Sequence, residues 1–336
     1  MIKEAINLLV QGKNLTENEM TGSMRDIMEG NATDAQIASF LTALRIKGET
    51  VEEITGAAKV MREKVMKIKA PAHTVDTCGT GGDMSHTFNI STTSALVVAA
   101  CGVPVAKHGN RSVSSKCGSA DVLEALGIKI DLEPQKVEKC LEATGFGFMF
   151  APLFHPAMKY AVGPRREMGI RTIFNILGPL TNPAGAERQV MGVFHDRLTE
   201  KLAQVLANLG VKHAFVVHGE DGLDEITNTD RTKISEMKDG RVNTFFIAPE
   251  DLGFKRAEKT ALSGGDATEN AKITIDILGG LKGPKRDIVI MNSAAALITG
   301  DRAEGLPDAI KIAAEAIDSG AALKKLKEVK TISSSL

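Results

Sequence analysis

The chain has 336 residues, of which 43% are apolar and 25% are charged, and its formal net charge is −1. A chain of this length can bury a full hydrophobic core, and we expect one large domain and one smaller one. The nearly neutral balance argues against a general nucleic-acid-binding protein, because such domains are usually strongly basic.

Cysteine spacing and hydropathy indicate the compartment in which the protein is expected. The four cysteines, Cys78, Cys101, Cys117 and Cys140, form no Cys-x-x-Cys pair, so the sequence predicts neither a zinc site nor a disulfide framework. Reduced thiols are typical of a cytoplasmic protein. The first residues lack a signal-peptide pattern and no apolar run reaches ~18 residues, so we expect neither secretion nor a membrane span.

Residues 1–70 carry helix signals only. Thr16, Thr33 and Thr50 are each followed three residues later by Glu or Gln, which is the spacing of a capping box that satisfies free amides at a helix start. Apolar residues after the second and third boxes recur at helical spacing. We therefore predict a small all-helical domain over 1–70, with 67–71 as its exit.

From residue 74 onward, strand-like and helix-like segments alternate, a pattern that favours an α/β fold. We expect a larger domain over 71–336, with a central, mostly parallel sheet flanked by helices and a frayed tail at 333–336. The predicted strands cover 74–77, 103–106, 128–132, 147–150, 189–194 and 213–218. The predicted helices cover 91–101, 119–126, 134–144 and 196–209, and two longer ones follow Asp266 and Lys285.

The segment 156–183 does not fit a strand. Its helical pattern and its glycines indicate a return crossing to the helical domain. This crossing would place a cleft between the two domains, where small-ligand sites are common.

Three glycines in four positions stand in Cys78-Gly-Thr-Gly-Gly-Asp83, directly after the first predicted strand. Glycine lets backbone amides approach a bound anion without interference from a Cβ. A Walker loop would need Gly-Lys-Ser/Thr here, and a dinucleotide fingerprint would need glycine where Met84 stands, so both are excluded. Taken alone, the motif is equally consistent with a tight strand-to-helix turn.

Two later motifs also suit an anion. Asn89-Ile-Ser-Thr-Thr93 precedes an apolar run and predicts a helix capped by hydroxyl side chains, whose amino end attracts negative charge. Lys107-His-Gly-Asn-Arg111 directly follows the strand predicted at 103–106 and offers two cations and an amide. Together with the glycine motif, these groups favour a polyphosphate site over a simple turn.

The sequence resembles the anthranilate phosphoribosyltransferase family of the tryptophan pathway from end to end. One departure is Met84, where the family more often has glycine, and it concerns the shape of the loop after Asp83. The resemblance rests on Gly79-Thr-Gly-Gly-Asp83, Asn89-Ile-Ser-Thr92, Lys107-His-Gly-Asn-Arg111, the run from Gly163-Pro-Arg165 to Asn175-Ile-Leu-Gly178-Pro-Leu, and His218-Gly-Glu-Asp-Gly-Leu-Asp224-Glu225.

This resemblance implies an enzyme that binds phosphoribosyl pyrophosphate, anthranilate and two Mg²⁺ ions per chain, and that forms a homodimer through the helical domain. Contacts to the phosphoribosyl donor are implied for Gly79, Gly82, Asp83, Thr87, Asn89, Ser91, Thr92, Lys107 and Ser119. Contacts to anthranilate are implied for Gly79, His108, Asn110, Arg165 and Gly178. Metal ligands are implied for Ser91, Asp224 and Glu225, and catalytic roles for Lys107, Arg165, Asp224 and Glu225.

Each of these roles has a plainer alternative. Adjacent carboxylates such as Asp224 and Glu225 after a strand are most often a solvated acidic loop. The other interpretation is magnesium, a hard cation that takes oxygen ligands and often bridges carboxylates to substrate phosphates. A bound pyrophosphate would favour the metal.

The arginine and histidine residues can likewise have either a substrate-binding or a structural role. Arg165 can hold a carboxylate through two parallel hydrogen bonds, whereas Arg166 and Arg171 are interpreted as helix-face charges. His108 is interpreted as a contact residue rather than a proton-transfer residue. No role is assigned to His155, His195, His213 and His218, and the cluster of Met149, Phe150, Phe154 and Met158 is interpreted as core or dimer packing.

The hypothesis for the reaction is that the amine of anthranilate attacks the anomeric carbon while pyrophosphate leaves. A free arylamine is largely unprotonated at neutral pH, so no strong general base is required. One rival is a pyrimidine-nucleoside phosphorylase, against which the Lys107 motif and the acid pair argue. The other is a non-catalytic nucleic-acid-binding relative, which we expect to have lost the acid pair or Arg165 and to have gained basic charge.

Overall fold

The computed structural model describes residues 1–83, 85–112 and 116–336, so the departure at Met84 lies outside the described residues. The amino-terminal part forms α1 (Ile2–Val10), α2 (Glu17–Met28), α3 (Asp34–Lys47) and α4 (Val51–Lys64). All three predicted capping boxes are present, at Thr16, Thr33 and Thr50. Each box satisfies backbone amides that a helix start would otherwise leave without a partner.

Among the described residues, the rest of the chain is built on one seven-stranded sheet in the order β3-β2-β1-β4-β5-β6-β7. Strands β1 to β5 pair in parallel, whereas β6 and β7 form an antiparallel edge. The predicted fold class, a small helical domain with a larger α/β domain on a mostly parallel sheet, is confirmed. The strands are β1 (Val75–Gly79), β2 (Val105–Gly109), β3 (Phe146–Phe150), β4 (Arg188–Gly192), β5 (His213–Gly219), β6 (Thr232–Lys238) and β7 (Arg241–Ile247).

Helices cover both faces of this sheet. Helices α5 and α13 share one hydrophobic cluster with Val75 and Val105, and α11 shares another with Ala214 and Val216. The helices are α5 (Ile90–Ala100), α6 (Ser119–Ala125), α7 (Pro134–Thr144), α8 (Ala151–Phe154), α9 (Lys159–Met168), α10 (Phe174–Leu177), α11 (Leu198–Asn208), α12 (Ala267–Leu278), α13 (Pro284–Thr299), α14 (Leu306–Asp318) and α15 (Ala321–Ser335).

The segment 156–183 is helical, as predicted, and it contacts the amino-terminal helices. Helix α9 packs on α2 and α3, and Ala161 and Phe174 share a hydrophobic cluster with Phe40. Arg62 on α4 donates from Nε to the carbonyl of Leu180 at 2.7 Å. The exact division of the chain, 1–70 and 71–336, stays a prediction.

Two strand predictions were wrong. The segment 128–132 forms no strand. Ile128, Ile130 and Leu132 are buried, but they belong to irregular backbone between α6 and α7. Strand β2 does not end at Ala106 but runs to Gly109, so it includes Lys107 and His108. Polar and charged side chains are rarely fully buried, which is why the prediction ended the strand before them. The chemistry of this motif therefore lies within the strand rather than after it.

Other elements were missed or misjudged. The hairpin of β6 and β7 was not predicted, although its Asp239-Gly240 turn is typical of two-residue hairpins. Helices α14 and α15 were missed as well. The tail predicted to fray is helical to Ser335, because Ser333 is buried and its hydroxyl accepts from the Lys129 amide at 3.2 Å. Helix α5 has Asn89 as its N-cap without a side-chain capping bond, so the predicted hydroxyl cap is also wrong.

The strand order of the sheet indicates where a ligand site is expected. The carboxyl ends of parallel strands meet at one edge, and in this sheet the order of connection reverses between β1 and β4, which is where ligands bind in open α/β sheets. Side chains alternate along a strand, so Lys107 lies on the α5 side of β2 with Val105. His108 lies on the opposite side with Ala106, in a cluster that includes Phe154.

No disulfide joins the four cysteines, all of which are described. Within the described ranges, no helix combines the length and the apolarity that a membrane crossing requires.

Candidate active site

The loop after β1 is held at successive residues by different segments. The hydroxyl of Thr80 accepts from the Phe194 amide at 3.1 Å, and the Gly81 amide donates to Asp224 Oδ2 at 2.8 Å. Gly81 and Gly82 have φ angles of 65° and 78°, a left-handed conformation that glycine adopts readily. Residues 80–82 are therefore held at the carboxyl edge of the sheet.

The acid pair lies directly against this loop. A Cβ built on Gly79 or on Gly192 would collide with Asp224, so glycine at the ends of β1 and β4 is what allows the acid to approach. Glu225 Oε1 accepts from the Ser91 amide at 3.1 Å, in the first turn of α5. The structure therefore brings together Gly79, Ser91 and both acids. Gly192, which the sequence analysis did not single out, also lies against Asp224.

Burial and neighbouring acids disfavour the charged form of both carboxyl groups in the acid pair. Burial raises the pKa of Asp224 to about 7, and the charge of Asp83 adds to this effect. Burial and the neighbouring Asp224 raise the pKa of Glu225 well above its usual range. Within the described parts of the chain, no group of three or more His, Cys, Asp or Glu side chains forms a metal cage.

Lys107 is the cation on the same side of the sheet. Its side chain is 1% exposed, and its ammonium donates to the Thr77 carbonyl and lies 3.4 Å from the hydroxyl of Ser91. Burial lowers the pKa of Lys107, whereas the nearby carboxylates Asp76 and Glu225 act in the opposite direction. A buried cation and the acid pair thus flank Ser91 at the start of α5.

Two other predicted donor contacts border this group. Asn89 is fixed by its side chain, which donates to the Cys117 carbonyl at 3.2 Å and accepts from Asn270 Nδ2 at 3.0 Å. Ser119, at the start of α6, donates its hydroxyl to the Asn110 carbonyl at 3.2 Å. Both side chains therefore stabilise the loops that approach the carboxyl edge.

Thr87 and Thr92 occupy different surroundings. Thr87 is partly exposed and pairs with Ser263 in an isolated antiparallel bridge. The side chain of Thr92 is 1% exposed and belongs to the core, so its backbone amide at the helix start is the group that suits an anion.

On the opposite face of β2, His108 contacts His155, to which the sequence analysis assigned no role. Nε2 of His108 and Nε2 of His155 lie 3.1 Å apart, and the backbone of Gly178 accepts from the His108 ring. Burial, with the nearby His155, lowers the pKa of His108 to about 3, and burial lowers that of His155 to about 4. Both imidazoles are therefore neutral at physiological pH, and one donates to the other.

Arg165 and Asn110 are not joined to this histidine pair. The Arg165 guanidinium lies over the Phe174 ring, 5.0 Å from its centroid, and burial lowers its pKa. Asn110 uses its side-chain oxygen to accept from the Arg111 amide at 2.7 Å. In the described residues, no hydrogen bond or ion pair connects Arg165 to Asn110, His108 or Gly178.

Residues 3–65 match the helical bundle domain, and residues 71–323 the a/b domain, of a glycosyl transferase family. The chain is 60% identical to the anthranilate phosphoribosyltransferase of Acetivibrio thermocellus over 98% of this chain and 95% of that protein. The chain belongs to the anthranilate phosphoribosyltransferase family.

Solved structures agree with this assignment. The anthranilate phosphoribosyltransferase of Thermus thermophilus has a TM-score of 0.93 at 40% identity, with 98% of this chain and 99% of that chain covered. The Saccharomyces cerevisiae enzyme in complex with PRPP and Mg has a TM-score of 0.90 at 28% identity, covering 100% and 98%. Neither rival interpretation, nucleoside phosphorylase or nucleic-acid-binding relative, is supported by these relatives.

The sequence analysis assigned no site role to three residues that lie at this candidate site. Gly192 and His155 carry no local motif, since their contacts come only from strands and segments that meet in the fold. Arg171 was interpreted as a helix-face charge, which is wrong: it lies between α9 and α10, and its guanidinium donates to the Gly82 carbonyl. The Gly-Ile-Arg sequence just after a helix end was the available signal for a side chain that leaves the helix.

The histidine pair makes stability sensitive to acid. The pKa values of His108 and His155 are lower in the folded chain than the ordinary value near 6.5, so the unfolded chain binds protons first. Their stabilising effect is present above pH 6.5 and is lost as the pH falls towards 4. Between pH 6.5 and 5 we expect a loss on the order of 2 kcal/mol per imidazole.

Urea unfolding at pH 7.0 and pH 5.0 measures this loss. His155→Gln keeps a side chain that can donate to His108 and removes one titrating group, so we expect its stability to fall less at pH 5.0 than that of the unaltered chain. His195→Gln removes a histidine whose side chain is 54% exposed and serves as the control. An equal loss in all three proteins would contradict the assignment.

Proposed function

We infer that this chain transfers the phosphoribosyl group of phosphoribosyl pyrophosphate to the amine of anthranilate, giving N-(5-phosphoribosyl)anthranilate and pyrophosphate in the second step of tryptophan biosynthesis. The observation that carries the inference is the meeting of the glycine loop, Lys107 and the Asp224–Glu225 pair at the edge of β1 and β4, in a member of this family. The bond from C1 to the pyrophosphate oxygen breaks, and pyrophosphate keeps the electron pair. The amine nitrogen bonds to C1, and its proton passes to water.

A direct assay tests the inference. Mixing the protein with anthranilate, phosphoribosyl pyrophosphate and magnesium is expected to abolish anthranilate fluorescence, and omission of the donor is expected to preserve it. Phosphorolysis of pyrimidine nucleosides without this transfer would support the first rival. Salt-sensitive DNA binding without transfer would support the second.

The residues at the acid pair fit magnesium, and two ions per chain are part of the proposal. Asp224, Glu225 and the hydroxyl of Ser91 would supply oxygen ligands, and burial raises the pKa of both acids even though Lys107 acts in the opposite direction on Glu225. Magnesium commonly uses one or two carboxylates together with substrate phosphates, so a larger protein cage is not needed. When bound, the ions would supply positive charge to the pyrophosphate that leaves.

The chain's own residues divide between the two substrates. For the donor, the amides at Gly79 and Gly82, the start of α5 and the Lys107 ammonium offer positive charge to the phosphates, and Asp83, Thr87, Asn89 and Ser119 border them. For anthranilate, Arg165 holds the carboxylate, and Gly79, His108, Asn110 and Gly178 line the ring. The low pKa values of His108 and His155 make them poor proton acceptors, so these residues orient the amine rather than deprotonate it.

Homodimer formation through the helical domain and a cytoplasmic location complete the proposal. Large apolar side chains are exposed on α1, α3 and α9, among them Val10, Ile46 and Val162 at 67%, 82% and 42%, and such surfaces suit contact with a second copy. Sedimentation equilibrium at micromolar concentration decides between a dimer and a monomer. Fractionation of cells that produce the protein decides the location.

Replacing Arg165 is expected to affect one substrate only. A charge-assisted hydrogen bond contributes about 1.5–3 kcal/mol, so Arg165→Ala should raise the KM for anthranilate roughly 10- to 100-fold. The KM for the donor should change less than about threefold, because Arg165 contacts none of the groups proposed to hold the donor. Initial rates with each substrate varied in turn measure both constants.

The adjacent, exposed Arg166 provides the matched control. Arg166→Ala removes the same charge one residue away and is expected to leave both KM values near those of the unaltered chain. If Arg165→Ala weakens donor and acceptor equally, Arg165 is not the carboxylate-binding residue.

A further inference from the structure

Arg171 contacts both the loop after β1, which we call the donor loop (residues 80–83), and the ring of Phe194. Its guanidinium donates to the carbonyl of Gly82 and stacks over the ring of Phe194, with 4.6 Å between Cζ and the ring centroid. Phe194 is itself tied to the loop, since its amide donates to the Thr80 hydroxyl at 3.1 Å. Arg171 therefore closes a small network around the left-handed Gly81-Gly82 backbone.

The same residue belongs to the segment that carries the proposed anthranilate arginine. Helix α9 ends at Met168, and Gly169, with φ 62°, turns the chain towards Arg171. The next residue, Thr172, donates its amide to Asn175 Oδ1 at 2.9 Å, at the start of α10. On α10, the Phe174 ring lies under Arg165.

A continuous path thus leads from Gly82 through Arg171 and α10 to Arg165. Each step is a hydrogen bond, a ring contact or a covalent neighbour. In the described residues, Arg171 has no acidic partner within ion-pair distance, so the loop carbonyl and the Phe194 ring are what hold its guanidinium. Arg166, five residues earlier, is exposed and makes no comparable contact.

We propose that Arg171 is a positioning residue that couples the donor loop to the anthranilate arginine, so that an occupied donor site favours anthranilate binding. The proposal rests on the function inferred above and adds a residue and a direction of coupling to it. A shift of the loop around a diphosphate moves the Gly82 carbonyl, and Arg171 follows that carbonyl. The displacement then reaches Arg165 through α10. Because binding free energies are linked, anthranilate must favour diphosphate binding by the same factor.

Isothermal titration calorimetry with anthranilate, in the absence and presence of inorganic pyrophosphate and Mg²⁺, measures the coupling without turnover. For the unaltered chain we expect pyrophosphate to tighten anthranilate binding by roughly fivefold or more. For Arg171→Met, which keeps bulk but cannot donate to Gly82, we expect less than a twofold effect. Arg166→Met, with the same change of charge, is expected to behave like the unaltered chain.

Arg171→Lys adds a graded test. Lysine retains a donor for the Gly82 carbonyl but lacks the planar surface that stacks on Phe194, so its coupling factor should be intermediate. A merely structural role would lower the melting temperature and leave the coupling factor of the folded fraction unchanged. That result overturns the proposal, as does an unaltered chain without coupling.

If Arg171→Met fails to fold, the comparison of Arg171→Lys with Arg166→Met decides the question, and equal coupling in these two contradicts the proposal. The two inferences fail in different ways. An unaltered chain that does not consume anthranilate in the fluorescence assay refutes the function. Normal turnover with unchanged coupling in Arg171→Met refutes only the role of Arg171.

Discussion

Replacing Asp224 by Asn and Glu225 by Gln in one chain is expected to lower kcat by about 10³-fold or more. These carboxylates are the oxygen ligands proposed for the cation that faces the pyrophosphate, and loss of one preorganised electrostatic group at a reacting centre typically costs 10²–10³ in rate. Anthranilate binding should persist, because among the described residues His108 and Arg165 make no hydrogen bond or ion pair with the acid pair, and Gly79, which lies against Asp224, is unchanged. Turnover and anthranilate affinity are measured on the same preparations.

The pKa shifts provide a check that the double variant is folded. The folded-state pKa of Asp224, about 7, lies above the value near 3.9 for an unfolded aspartate. The contribution of Asp224 to stability is therefore fully present below pH 4 and is lost as the pH rises through 7. At pH 8 without divalent cations, the double variant should melt at or above the temperature of the unaltered chain.

Metal dependence separates the two proteins further. Magnesium with pyrophosphate should raise the melting temperature of the unaltered chain at pH 8, and this increase should shrink below pH 7, where protons compete for Asp224. The double variant should show no such increase. Glu220→Gln, which removes an acid of the same loop that pairs with Arg231 at 2.7 Å on the surface, is the control. Turnover by the double variant near that of this control would refute the metal role.

The groups proposed for the donor side could be found in the sequence because each of them is local. A glycine loop, a helix start and a basic motif each carry a signature within a few residues, and parallel pairing of β1, β2 and β4 brings their carboxyl ends together. All five parallel strands were predicted close to their observed positions. The predicted β2 ended too early, before Lys107 and His108. A polar side chain is stable inside a buried strand only when distant segments supply its partners, and these partners cannot be identified from the local sequence.

Contacts between distant segments could not be predicted in the same way. The approach of Gly192 to Asp224, the pairing of His108 with His155 and the bond from Arg171 to Gly82 each join residues more than thirty positions apart. A single sequence carries no pattern for such pairs. Conversely, Ile128, Ile130 and Leu132 alternate with polar residues as in a strand, and they are buried, but they form no strand. Alternation of apolar residues indicates which side chains are buried and not whether the backbone pairs with another strand.

Under the proposed function, the pleat of β2 assigns the two substrates to separate sides of one strand. Lys107 faces Ser91 and the acid pair, whereas His108 faces His155 and Gly178. Neighbouring side chains on a strand point to opposite faces. We therefore propose that Lys107 serves the donor and His108 the acceptor, so that a change at one position should affect chiefly one substrate.

Lys107→Met tests this separation with the second large effect. Methionine keeps most of the volume of the buried side chain but removes the ammonium that faces the proposed diphosphate site. We expect kcat/KM for the donor to fall by about 10²–10³, and the dissociation constant of anthranilate to change less than about threefold. Steady-state rates with the donor varied and calorimetry with anthranilate alone give the two quantities.

Folding must be separated from catalysis in this variant, because loss of Lys107 leaves the Thr77 carbonyl without its ammonium partner. Removal of a buried charge also removes its desolvation cost, and the two effects oppose each other. Lys129→Met, at an exposed position, controls for the loss of one positive charge from the whole molecule. A folded Lys107→Met protein in which anthranilate affinity falls as far as donor efficiency would contradict the two-sided arrangement of β2, since only a residue shared by both substrates would have that effect.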